Sequence, residues 1–328
     1  MCPASALHAG HILGTLSRTW TNATNSGGIT AASLLTPGGY PLEFTFRSGS
    51  SNLSYTADPG LPQAIVAEKW RLIHALDGKL GIQIHPLLPM LAAQPAQQFG
   101  CWLGVRHQRG AHRFKVYQEV GPQASPRILQ HLRGAVPGLA DAEEISPSLL
   151  GVMPGTGGAT EYYCKVERPG PAALHRLYAA IGRGRLLPCV IDSLAYLAAQ
   201  PQEKLLDRLR IGISYSVAPE RPPRVTLYAH ACQLFNGNRQ TRLRWLGLVR
   251  QLGGEAALYE QLTRAFEEDE PPDILHGLVG IGITETGRIE CSLGLRPFIP
   301  NAGKTASHAF PALHCAPFRL RKPEGGPR

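Results

Sequence analysis

The sequence predicts an α+β fold in which ten antiparallel strands close into a barrel around a solvent-accessible chamber, with helices outside. Three observations carry this expectation. A pair of strand-like runs followed by a helix-like run recurs about five times, as in an internally repeated architecture. Within the runs, side chains alternate between an oily row and a row rich in Arg, Lys and Tyr. The chain carries a net charge of +9 and a pI near 9.4, yet its basic residues occur singly within strand-like segments and form no Lys/Arg blocks.

The units follow in order. The first pairs Pro41–Arg47 with Asn52–Ala57 across a Ser48–Ser51 turn, with a helix from about Pro62 to Leu76. The second pairs Phe99–Arg106 with Arg113–Val120, followed by a helix around Pro126–Arg133. The third sets Ser148–Met153 beside Glu161–Glu167, ahead of helical sequence from Pro171 to Gln200. The fourth pairs Arg208–Val217 with Arg224–His230 and continues as helices from Asn238 to Glu267. The fifth is a hairpin, Leu275–Thr284 with Arg288–Leu295, turned by Glu285-Thr286-Gly287. Residues 1–300 are read as one barrel domain, and the Pro/Gly-rich stretch 301–328 as a flexible tail.

Leu42, Phe44 and Phe46, Phe114 and Val116, Leu209, Ile211 and Ile213, and Val225, Leu227 and Ala229 form the oily rows. The opposite rows hold Glu43, Thr45 and Arg47, then Arg113, Lys115, Tyr117 and Glu119, then Tyr163 and Lys165, then Arg224, Thr226, Tyr228 and His230. In an open sheet those rows face water; in a closed barrel they line a basic, tyrosine-rich chamber.

Several function classes lack support. The glycine-rich stretches Met153–Gly158 and Ile281–Thr284 have no Lys-Ser/Thr and no helix start, as a phosphate-binding loop requires. The acidic run Glu267–Asp273 is interrupted by prolines and reads as a solvated loop. The seven cysteines are odd in number, scattered and without a CxxC pair, and the twelve histidines form no persuasive zinc pair. No apolar run approaches the roughly 20 residues that span a bilayer, so a cytoplasmic protein with reduced thiols is expected.

The segments Pro41-Leu-Glu-Phe-Thr-Phe46, Tyr55-Thr-Ala-Asp-Pro-Gly60, Lys115-Val-Tyr117 and Arg224-Val-Thr-Leu-Tyr228, in this order within five repeats over residues 30–298, resemble the ABBA-type aromatic prenyltransferases. The pattern is similar in particular to the indole and tryptophan dimethylallyltransferase branch. The resemblance implies transfer of a dimethylallyl or geranyl group from its diphosphate to an aromatic acceptor, an indole or tryptophan derivative or a tryptophan-containing peptide. It also implies no cofactor, no Mg²⁺ requirement, no nucleic-acid or membrane partner, and a monomer. A non-catalytic basic barrel that binds an acidic lipid, nucleotide or RNA is the alternative.

The resemblance assigns diphosphate contact to Lys115, Lys165, Arg224 and Tyr228, and diphosphate contact or cation shielding to Tyr117. Tyr163 would line the cation site. Glu161, where the family pattern has a cation, would recognise a basic or hydrogen-bond-donating acceptor or stand as a plain surface carboxylate. Trp102, which shares an inward face with Arg106, serves either packing or acceptor stacking. Ser54 occupies a position where an Arg is common, and Arg47, Arg210, Arg288 or Arg296 could supply the missing charge; Arg210 is preferred for its place on the polar row. Glu43 resembles the indole-binding Glu and is the catalytic candidate, with a salt bridge to an inward cation as its other reading.

Overall fold

The computed structural model describes residues 9–16, 20, 33–36, 39–60, 66–80, 97–108, 111–153, 159–167, 169–268, 270–271 and 273–297. The tail expected at 301–328 and the glycine-rich stretch at 154–158 lie outside the described residues. Ten strands run β1 Leu42–Arg47, β2 Ser54–Ala57, β3 Cys101–Gln108, β4 Ala111–Glu119, β5 Ile145–Val152, β6 Thr160–Val166, β7 Gly212–Ala218, β8 Arg221–His230, β9 His276–Ile283 and β10 Ile289–Leu295. Each pairs antiparallel with its sequence neighbour. The first and last strands also pair, Phe44 opposite Leu295 and Arg47 opposite Ser292. That seam closes the barrel and rules out the open sheet.

Closure follows from the oily rows. Phe46, Leu103, Val105, Val116, Ile213, Leu227, Ile281 and Leu293 point outward and are buried. They are covered by helices whose apolar residues recur at helical spacing, such as Val190, Ile191, Leu194 and Leu197 on Leu187–Ala198. Each such side chain contributes roughly 1.5–3 kcal/mol by leaving water. The helix Asn238–Gln251 buries Trp245, Leu248 and Val249. Edge-on ring packing of Trp245 on Tyr259 (4.6 Å) and of Tyr259 on Phe46 (5.2 Å) ties this layer to β1. The hydrophobic core is therefore the shell between barrel and helices, which leaves the inside free for polar side chains.

Several strand boundaries differ from expectation by two to four residues, β8 beginning three residues early at Arg221, and two of the shifts have local reasons. β5 begins at Ile145, earlier than expected, because the chain passes through Pro147 with a register irregularity between Pro147 and Leu149. β7 begins only at Gly212. Leu209 and Ile211 are buried but precede the strand, and Arg210 between them is exposed, which removes it from the inward row. The β9–β10 turn falls at Glu285-Thr286-Gly287 as expected, with Gly287 at φ 82°, a conformation that glycine adopts without a steric cost.

Candidate active site

Cross-strand register identifies the inward side chains and sorts them along the barrel axis. Neighbours around the wall include Ser54–Arg106, Arg106–Arg113, Ser216–Arg224 and Arg47–Ser292, so Arg47, Arg106 and Arg224 gather towards one end. Below them Lys115 of β4 and Glu161 of β6 meet over Gly151 of the intervening β5. Next comes a tyrosine level, with ring centroids 5.8 Å apart for both Tyr117–Tyr163 and Tyr163–Tyr228. Glu43 and Trp102 lie beyond it.

Glycines make this crowding possible. A Cβ at Gly104 would stand 2.8 Å from the Tyr117 ring, and one at Gly280 would stand 2.9 Å from the Tyr228 ring. One at Gly151 would collide with Lys115, and one at Gly294 or Gly277 with the Glu43 carboxyl group. Large side chains can thus lie over the neighbouring strands only because those strands are bare there.

The cationic end is set up for an anion. Arg106 is crowded first by Arg47 and then by burial, and its pKa falls to about 10. Burial opposes charge on Arg47, but Tyr228, Glu161, Glu290 and Tyr117 outweigh it and hold its pKa above the ordinary value. Arg47 Nε is buried with no hydrogen-bond partner among the described residues. Arg224 donates to Glu290 at 2.9 Å, which leaves Arg47 and Arg106 as the cations facing one another.

Lys115 is the hub of the middle. Its ammonium pairs with Glu161, donates to the Tyr163 hydroxyl at 2.8 Å, and lies over the Tyr117 and Tyr163 rings at 4.7 and 5.0 Å. Ser214 donates to the other Glu161 oxygen at 2.6 Å. Burial pushes Glu161 up, but Lys115, the Ser214 hydrogen bond and Arg47 prevail and hold it at about 2, ionised. Burial first, with Glu161 nearby, keeps the Tyr163 and Tyr228 hydroxyls protonated well above their usual range. At the opposite pole Glu43 has no charged partner among the described residues to offset its burial, and its pKa rises to about 8.

Lys115, Tyr117, Glu161, Tyr163 and Tyr228 are thus brought together, with Arg224 at the rim. Two expected members are not. Arg210 is exposed, precedes β7 and neighbours His230 at the end remote from Arg47. Lys165 is exposed four residues beyond Glu161, about 13 Å along β6. Of the other cations considered for the charge missing at Ser54, Arg288 is exposed near the β9–β10 turn and Arg296 engages Asp273, whereas Arg47 is inside. Arg106, across from Ser54, was legible only as an inward residue. Glu161 is not a surface carboxylate, for it is held in the Lys115–Ser214 network. Trp102 stacks on Phe99 at 4.0 Å, and its Nε1 is buried without a partner among the described residues.

No protein-family model matches the sequence, and no curated protein matches it either. Solved structures do. The 5-dimethylallyltryptophan synthase of Streptomyces coelicolor superposes with a TM-score of 0.69 at 16% identity, covering 87% of this chain and 91% of that one. The 6-dimethylallyltryptophan synthase of Micromonospora olivasterospora, in complex with DMASPP and Trp, gives 0.68 at 16% identity over 81% and 84%. The prenyltransferase PriB, solved with product diphosphate, gives 0.68 at 16% identity over 90% of each chain. The chain has the fold of the ABBA prenyltransferases, a closed ten-stranded antiparallel barrel surrounded by helices.

Proposed function

We propose that the protein transfers an allylic isoprenyl group, dimethylallyl or geranyl, from its diphosphate to an aromatic acceptor of the indole or tryptophan type. The observation that carries this reading is the order of groups along one chamber: guanidinium groups and an ammonium, then three tyrosines, then a carboxyl group. That order suits ionisation of a C–O bond. The electron pair of the breaking bond goes to the diphosphate oxygen, where Arg47, Arg106 and Lys115 offset the growing negative charge. The allylic cation left behind faces Tyr117, Tyr163 and Tyr228, whose π-faces attract it and exclude water.

Glu43 accepts a hydrogen bond from the acceptor's ring N–H, orients the ring towards the cation and offsets the charge that develops on it during attack. Trp102 stacks against the acceptor. The new C–C bond forms at the allylic carbon, and the ring then loses its proton. Because protein cations take up the diphosphate charge, no divalent metal is required in this scheme. Similar proteins are named as dimethylallyltryptophan synthases, one solved with DMASPP and Trp, which favours this donor and acceptor chemistry. Incubation with dimethylallyl or geranyl diphosphate and a panel of indoles and tryptophan peptides tests the proposal, read as acceptor mass gain with diphosphate release.

A further inference from the structure

The chamber contains a group that a simple diphosphate cage does not need. Glu161 is a carboxylate set among the cations, paired with Lys115, accepting from Ser214 and close enough to Arg47 to affect its charge. Lys115 already lies against the wall, its chain passing over Gly151 where even a Cβ would collide with it, so it has no room to withdraw further in that direction. An anion held by Lys115 and Arg47 must therefore share their field with Glu161. A carboxylate beside several negative phosphate oxygens is unfavourable unless it moves away or takes a proton. Moving away is blocked by its Ser214 hydrogen bond and its half-buried place between β5 and β7.

The charged and titratable groups around Glu161 come from every side. They are Lys115 and Tyr117 on β4, Tyr163 on β6, Tyr228 and Arg224 on β8, Arg47 on β1, Arg106 on β3 and Glu290 on β10. The adjoining strands present Gly151, Ser214 and Ser216, none of which titrates. Arg224 is engaged by Glu290. Once Lys115 turns its ammonium to a phosphate oxygen, Glu161 loses its ion pair, and Arg47, which also favours its charged form, faces the same anion.

We propose that Glu161 is the internal counter-ion of this site, displaced from Lys115 by an incoming diphosphate, so that each diphosphate is bound with uptake of one proton from solvent by Glu161. The inference rests on reading the cationic end as a diphosphate site. The balance is simple: Lys115 keeps its protons and redirects one N–H from carboxylate to phosphate, and the carboxylate becomes a carboxylic acid. On product release the proton returns to solvent and Glu161 reclaims Lys115. The counter-ion thus weakens diphosphate binding and assists departure of the product.

The test is calorimetric titration of inorganic pyrophosphate into the full chain and into Glu161→Gln, each in two buffers of different protonation enthalpy near pH 7. Comparing the two proteins cancels the titration of pyrophosphate itself. The wild type should take up about one proton more than the variant, and Glu161→Gln should bind at least about tenfold more tightly. Ser214→Ala, which keeps the carboxylate but removes its hydrogen bond, should tighten binding while retaining the wild-type proton count; it also serves if Glu161→Gln does not fold. Equal affinity and equal proton counts in wild type and Glu161→Gln, or unchanged affinity in Ser214→Ala should that be the only folded variant, overturn the counter-ion role and leave the diphosphate site standing. Absence of pyrophosphate binding by every folded protein overturns both.

Discussion

Glu43 and Arg47 point into the barrel from the same strand, four residues apart and so about 13 Å along it. One strand therefore carries both poles of the chamber, a carboxyl group whose pKa burial raises and a guanidinium crowded by another.

At the Glu43 pole, Glu43→Gln is expected to fold and to bind the donor, yet lose at least about tenfold in prenyl transfer, or about 1.4 kcal/mol of transition-state stabilisation. Burial raises the Glu43 pKa from 4.5 to about 8, so between those values the folded chain holds a proton that the unfolded chain has released. Stability should fall as pH rises through this window, and that slope should vanish in Glu43→Gln. If the ionised form accepts the ring N–H, kcat/KM of the wild type should rise with pH and level off above about 8. Denaturant melts and rate profiles across pH check both arms. Near-normal turnover by folded Glu43→Gln removes this residue from the mechanism.

Lys115→Ala leaves Glu161 buried without its cation, which should cost roughly 1–3 kcal/mol of stability and raise the KM for donor at least about tenfold. Adding Glu161→Gln should recover much of the stability, because the stranded charge is gone. The Glu161 pKa lies below its ordinary value, so the pair's contribution is present above about pH 4.5 and is lost as pH falls towards 2. A double-mutant cycle by denaturant unfolding measures this coupling, and additive single effects would argue against it.

Gly294→Ala introduces a methyl group where the Glu43 carboxyl group lies. Glu43 must shift, and acceptor use should drop by more than about tenfold while donor affinity stays near wild type. Steady-state kinetics with each substrate varied in turn checks the split. A matching loss in donor affinity would mean that the two poles are not separate.

Much of this arrangement was legible before the strands were paired. Alternation alone put Glu43, Lys115, Tyr117, Tyr163 and Tyr228 on inward faces, because a half-polar strand has only two sides. Alternation says nothing of where a strand stops, and it misplaced Arg210, which precedes the first paired residue, Gly212. Nor does it say which inward residues share a level, since that depends on the stagger of the closed barrel. Arg47 and Arg106 therefore stood out only once Ser54 was found opposite Arg106 and Ser292 opposite Arg47. The usable signal was the glycines, Gly104, Gly151, Gly280 and Gly294, each bare where a large inward side chain of the neighbouring strand lies over it.

Since protein cations are assigned the diphosphate charge, EDTA should leave most of the activity in place. Complete loss that only Mg²⁺ restores would show that Arg47, Arg106 and Lys115 do not suffice.

Turnover is the most direct test of the central claim. The purified chain, given dimethylallyl diphosphate with tryptophan, simple indoles and tryptophan-containing peptides, should yield at least one acceptor heavier by a single isoprenyl group, with one diphosphate released per product. Geranyl diphosphate should be tried on the same panel. Mass spectrometry that finds every acceptor unmodified with both donors, while the folded chain binds RNA or a nucleotide in a salt-sensitive manner, would contradict the account and favour a non-catalytic anion-binding barrel.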